Sequence, residues 1–184
     1  MAARVCPWWM AYTFDNPFRH LFHKPENLLG PYVQKGMTVM DIGCGMGFFS
    51  IGMARLVGDG GRVLSVDIQQ KMLDVLKKRA QKAGLLNRIQ VAKCEPGIID
   101  VEAKADFILC FWMVHEVPDA AAFFRQLRRH ITRNGKILIA EPKNHVSDAE
   151  FEKTLHLIQE SGFELIERPE ISMSKAALFA ANAE

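Results

Sequence analysis

Thr38-Val39-Met40-Asp41-Ile42-Gly43-Cys44-Gly45-Met46-Gly47-Phe48-Phe49 reads as a buried strand, a glycine-rich turn and the opening of a helix. Val39, Met40 and Ile42 supply the apolar strand, with Asp41 as its one acid, and Phe48, Phe49, Ile51 and Met53 begin the helix. Glycine at alternate positions removes side chains where a backbone bends sharply and a ligand lies against it. A helix that starts there aims free N–H groups at whatever fills the turn. The stretch therefore predicts a nucleotide-type ligand site at the carboxyl end of a central strand.

The spacing narrows the ligand. A dinucleotide fingerprint, G-x-G-x-x-G, needs glycine at position 48, which is Phe48 here; the third glycine arrives one residue early, at Gly47. No G-x-x-x-x-G-K-[ST] string exists, which excludes a triphosphate-binding loop.

The string Asp41-Ile42-Gly43-Cys44-Gly45-Met46-Gly47 resembles the first motif of class I S-adenosylmethionine (SAM)-dependent methyltransferases. That resemblance implies SAM as cofactor and S-adenosylhomocysteine as product, with Asp41, Gly43, Cys44, Gly45 and Gly47 in the cofactor site. Asp67, about twenty residues on at the end of the second strand, is placed to accept both ribose hydroxyls. Resemblance sets Ile68 and Gln69 beside adenine and Glu95 on its amine, where aspartate is the commoner residue. Phe111 joins the cofactor set.

The segment Phe111-Trp112-Met113-Val114-His115-Glu116-Val117-Pro118 leaves the fourth strand where ligands collect in open α/β sheets. It resembles the corresponding motif of the ubiquinone/menaquinone methyltransferase-like group, which implies a small-molecule acceptor. His115 is the candidate general base, being titratable near neutrality and beside the expected methyl. Glu141, ending the fifth strand, is a second catalytic candidate that either orients substrate or caps the next loop. Glu116, Tyr12, Phe14 and Phe18 are candidate acceptor contacts. There is no [DNS]-P-P-[YFW] string of base-amine methylases and no paired-glutamate loop of protein arginine methylases. A protein or RNA acceptor, or a SAM-binding regulatory protein without turnover, stays open.

The remaining chain predicts an α/β fold, a Rossmann-like doubly wound sheet of seven strands. Strands follow at 62–67, 89–93, 106–111, 136–141, 163–167 and 174–180, with Asn134-Gly135 turning into the fifth. Helices follow at 70–83, after Asp119, and after the capping box Ser147-Asp148-Ala149-Glu150. Only a few residues separate the sixth and seventh strands, too few for the crossover a parallel pair requires. The sheet is thus expected to be mostly parallel with an antiparallel last strand. Residues 1–36, crowded with Trp8, Trp9, Tyr12, Phe14, Phe18 and Phe22, form a separate helical, aromatic segment expected to cap the active site, and 37–184 form the SAM-binding domain.

A chain of 184 residues with a net charge of +2 suits one ordinary globular core. Lys77, Lys78, Arg79 and Lys82 read as the solvated face of a helix and not a phosphate-binding strip, the net charge argues neither for nor against nucleic acid, and no DNA-binding motif is found. The four cysteines, Cys6, Cys44, Cys94 and Cys110, lack C-x-x-C spacing, and the histidines lack metal-ligand spacing. Reduced thiols, no metal site, no membrane span and a cytoplasmic protein are the expectation.

Overall fold

A computed structural model describes residues 23–182. Seven strands lie in one sheet: β1 Thr38–Ile42, β2 Arg62–Asp67, β3 Ile89–Lys93, β4 Ala105–Phe111, β5 Ile131–Pro142, β6 Phe163–Glu167 and β7 Ser174–Ala181. Their order is β3-β2-β1-β4-β5-β7-β6. The pairs through β3, β2, β1, β4 and β5 are all parallel, whereas β7 runs antiparallel to both β5 and β6. The last strand is therefore reversed, as the short link after Glu167 requires, and it slots between β5 and β6.

Five helices cover the two faces among the described residues: α1 Pro25–Leu29, α2 Phe48–Val57, α3 Gln70–Lys82, α4 Ala120–Arg129 and α5 Asp148–Glu160. Alternate strand residues sort the packing. Val39, Val63, Phe107, Leu109 and Leu138 meet Phe49, Met53, Leu73 and Leu76 of α2 and α3. On the other face Met40, Leu64, Ile108, Ile137 and Phe179 meet Phe124 and Leu127 of α4 and Phe151 and Ile158 of α5. Ser147 caps α5 in a reciprocal capping box with Glu150, and Asp119 caps α4 through the Ala122 N–H.

Two expectations change. Asn134 and Gly135 lie inside β5 rather than before it. The pairing with β4 jumps from Ala105–Ile131 to Phe107–Lys136, so the turn residues are absorbed as an irregularity of the ladder. Within the expected cap segment, α1 packs on α2, and Leu29 and Val33 are buried in the core. Residues 25–33 thus belong to the domain's own packing; Tyr12, Phe14, Phe18 and the other aromatic residues before His23 lie outside the described residues. No helix among the described residues is long and apolar enough to cross a membrane.

Gly47 shows how closely the layers meet. It has φ +86°, and a Cβ there would stand 2.0 Å from Leu76 Cδ1. Gly47→Ala is expected to destabilise the protein by about 2 kcal/mol or more, from left-handed strain plus overpacking. A urea unfolding midpoint indistinguishable from wild type would contradict this packing.

Candidate functional site

The strand tips of β1, β2 and β4 and the loops after β3 and β5 enclose one cavity of about 920 Å³. That is near the top of the range of roughly 300–1,000 Å³ for small-molecule sites. Asp41, Gly43, Cys44, Gly45, Asp67, Ile68, Gln69, Glu95 and Phe111 line it, and so do His115 and Glu116 at the other end.

Asp67 ties the first half together. Gly45 N–H donates to its Oδ2 at 2.9 Å and Gln69 N–H to its Oδ1 at 2.8 Å. Burial pushes the carboxyl up from its ordinary range, opposed by the N–H bonds from Gln69, Gly45 and Ile68. A carboxylate offers about four acceptor sites, so Asp67 keeps acceptor capacity beyond these N–H bonds. Asp41 plays a second part: its Oδ2 accepts the Ser50 hydroxyl at 2.5 Å, and Ser65 donates to Ser50 at 2.8 Å. This buried chain ties the first turn of α2 to β1 and β2. Gly45 has no atom within 4 Å of where a Cβ would stand, so its backbone lies open to the cavity. Gly47 does not line the cavity; its lack of a side chain serves the contact with Leu76.

The second half is set by the exit from β4. Trp112 adopts φ +58°, unusual for a residue with a Cβ, and turns the chain into a 3-10 turn, Val114–Glu116. Its Nε1–H donates to Ser174 Oγ at 2.9 Å, and its N–H donates to Ala140 O at 2.7 Å. Behind the turn stands Glu141, 1% exposed. Its Oε1 accepts Val114 N–H at 2.8 Å and its Oε2 bonds His115 Nδ1. Glu141 does not line the cavity itself; it reaches the ligand side only through His115. Burial pulls the His115 pKa down, but the hydrogen bond and charge of Glu141, with the charge of Glu116, outweigh it and hold the pKa above its ordinary 6.5.

The methyltransferase domain family matches residues 33–175. The chain belongs to that family. It is 31% identical over 152 residues to the ubiquinone biosynthesis O-methyltransferase of Xanthomonas oryzae pv. oryzae, covering 76% of this chain and 57% of that protein. It is 26% identical over 124 residues to the demethylmenaquinone methyltransferase of Oceanobacillus iheyensis, covering 67% of this chain and 52% of that protein. The chain thus spans about half the length of these curated relatives. A SAM-dependent methyltransferase from Aquifex aeolicus shares the fold, with a TM-score of 0.84 at 24% identity over 96% of this chain and 98% of that one.

S-adenosylmethionine is the cofactor that a methyltransferase domain of this family implies, and the cavity fits it. The open backbone at Gly45 and the spare acceptor capacity of Asp67 suit an amino-acid group and a ribose. The acidic lining, Asp41, Asp67, Glu95 and Glu116 with no Lys or Arg among the described residues, suits a sulfonium cation. No cluster of three or more metal-ligating side chains occurs among the described residues. Burial raises the thiols of Cys44 and Cys110 well above their ordinary value, and that of Cys94 to about 11. These are protonated, unreactive thiols near neutrality.

Sequence reasoning passed over His145, whose ring lies edge-on to His115 with centroids 4.8 Å apart, and also Met113 and Met173 in the lining. The available signal was position: His145 follows the tip of β5 by only a few residues, at the carboxyl edge where sites form.

The His115–Glu141 pair sets a pH dependence. A folded pKa raised above the unfolded value contributes stability that is fully present below about 6.5 and is lost as pH rises through the folded value. The stability advantage of wild type over His115→Gln should accordingly be largest in mild acid and fade toward alkaline pH. Thermal melts across pH 5 to about 9 would show it, and an advantage that grows with pH would refute the assignment.

Proposed function

We propose that this protein transfers a methyl group from SAM to a small-molecule acceptor, with His115 as general base and Glu141 as the group that orients it. The observation carrying this reading is that one cavity joins the glycine turn and Asp67 to a carboxylate-backed imidazole. In the proposal Asp67 accepts the ribose hydroxyls, Ile68 and Gln69 flank adenine, and Glu95 takes the adenine amine. Gly43, Cys44 and Gly45 leave room for the methionyl group, and Phe111 closes the floor.

When bound, SAM supplies a sulfonium-activated methyl group open to in-line displacement. The chain's own work is alignment, exclusion of water and removal of one proton. His115 Nδ1 is engaged by Glu141, which leaves Nε2 for the acceptor and holds the ring in one orientation. Glu116 stands at the acceptor side of the same turn.

The segment ahead of Pro25 is the proposed source of further acceptor contacts on this side, with Tyr12, Phe14 and Phe18 lying outside the described residues. Support comes from His23, which packs edge-on against the cavity residues Phe111 and Trp112 and hydrogen-bonds Ser172 O at 2.8 Å. A cytoplasmic location is also part of the proposal, supported by three free cysteines among the described residues.

Release of S-adenosylhomocysteine should occur with a metabolite extract and not with a protein or RNA extract; the reverse pattern would sink the small-molecule reading. By calorimetry, Asp67→Ala should weaken SAM binding by about 1.5–3 kcal/mol, the range for hydrogen bonds involving a charged group. Unchanged affinity would mean that the ribose is held elsewhere.

A further inference from the structure

We infer that Gln126, on α4 and outside the cavity lining, is a positioning residue of the cofactor site. Its side-chain amide fixes the loop that carries Glu95, and through that loop the site selects adenine over a purine with oxygen in place of the amine. The inference rests on the proposed SAM reading, in which Glu95 takes the adenine amine, and names the residue that gives Glu95 its place.

Residues 94–104 join β3 to β4 without a helix or strand, and Cys94 through Ile99 all line the cavity. Within this loop Glu95-Pro96-Gly97-Ile98 is a tight turn, closed by Ile98 N–H donating to Glu95 O at 3.0 Å. Gly97 has φ +76°, so a proline followed by a left-handed glycine gives the turn its type II pattern. Such a turn fixes its own shape but not its place against the domain. Gln126 supplies the place. Its Nε2 donates to Gly97 O at 2.7 Å, and its Oε1 accepts Ile99 N–H at 3.0 Å. A carbonyl and the N–H two residues on face the same side of an extended chain, so the amide stands in for a neighbouring strand. The second Nε2 hydrogen meets Ala122 O, on the same helix, at 3.4 Å.

The helix behind the amide is firmly seated. Phe124 and Leu127 bury α4 against the sheet, Asp119 caps it, and Phe123, one turn before Gln126, is buried and lines the cavity. On the loop side Ile99 is buried, so the arm that Gln126 grips is packed as well as bonded. Glu95, by contrast, is exposed. A carboxylate on a free loop turns into water when it meets a group that repels it, and then it discriminates little. Held in place, it accepts from an amine and opposes a carbonyl oxygen, because an ionised carboxylate has no hydrogen to donate. Selectivity at this end of the cavity therefore depends on how firmly the loop is held.

The test is calorimetry on the full chain with S-adenosylhomocysteine and with S-inosylhomocysteine, which carries hypoxanthine in place of adenine. Wild type should bind the adenosyl ligand at least about tenfold more tightly, the size expected when a hydrogen bond to a charged group is lost. Gln126→Met, which removes both bonds at similar volume, should narrow that preference to about threefold or less, chiefly by weakening the adenosyl ligand. Glu95→Gln should narrow it as well, since an amide can donate as well as accept. Gln126→Met added to Glu95→Gln should then narrow it no further, because Gln126 acts through Glu95. A residue that only supports the fold would weaken both ligands by one factor. If Gln126→Met does not fold, Gln126→Ala, well suited to a helix, takes its place. A preference unchanged by the Gln126 variant, an equal loss for both ligands, further narrowing in the double variant, or no preference in wild type overturns the inference. Failure of wild type to bind S-adenosylhomocysteine at all would instead defeat the SAM reading, so the two failures are distinguishable.

Discussion

The carboxylate of Asp67 grips two backbone N–H groups, one from the turn after β1 and one from its own loop. Both loops end on free strand tips, where the ladder no longer supplies hydrogen-bond partners. A buried carboxylate that receives these donors offsets its own desolvation and holds the turn at a set distance from β2. The Asp41–Ser50–Ser65 chain repeats the idea one layer deeper, anchoring α2 to the two strands it caps. Without these ties the glycines that give the turn its openness would also leave it slack. Acidic residues at the strand tips therefore act first as structure, and they also line the cavity.

The opposite half of the cavity solves a different problem. A histidine on a short turn at a strand end has several rotamers and two tautomers, and a proton acceptor needs one of each. Glu141 selects them from behind, and the left-handed Trp112, tethered to Ser174 on β7 and to Ala140 on β5, sets the height of the turn. A non-glycine residue held at φ +58° beside a ligand cavity is a strain that surrounding contacts must sustain. Here the antiparallel β7 sustains it. The reversed strand thus has a consequence for the cavity: its first residue, Ser174, holds the loop that carries His115.

Much of the fold was legible because its signals are local. The glycine spacing, the caps at Asp119 and Ser147, and the short link before β7 each act over a few residues. What misled was also local: Asn134-Gly135 has the composition of a turn, but long-range pairing of β5 with β4 and β7 draws it into the strand. Gly47 fitted the cofactor motif in sequence, while its neighbour in space is Leu76, 29 positions away. The site shows the same division. Asp67, Glu95 and His115 could be found by counting from strand ends, since strand carboxyl ends converge in this fold.

The sequence by itself determined the order of strands and helices along the chain, the glycine turn that lines the cavity and the set of polar side chains at the sheet's carboxyl edge. Periodicity, glycine and capping energetics operate within a turn or two of the chain, so they leave a readable trace. Only the tertiary structure decided which of those side chains meet. Glu141 lies 26 residues from His115, and Asp67 lies 22 from Gly45. Those pairings depend on the twist and stagger of neighbouring strands. The same packing turned Glu141 away from the cavity and brought His145 to it, because a side chain's role at a strand tip depends on which neighbour reaches it first.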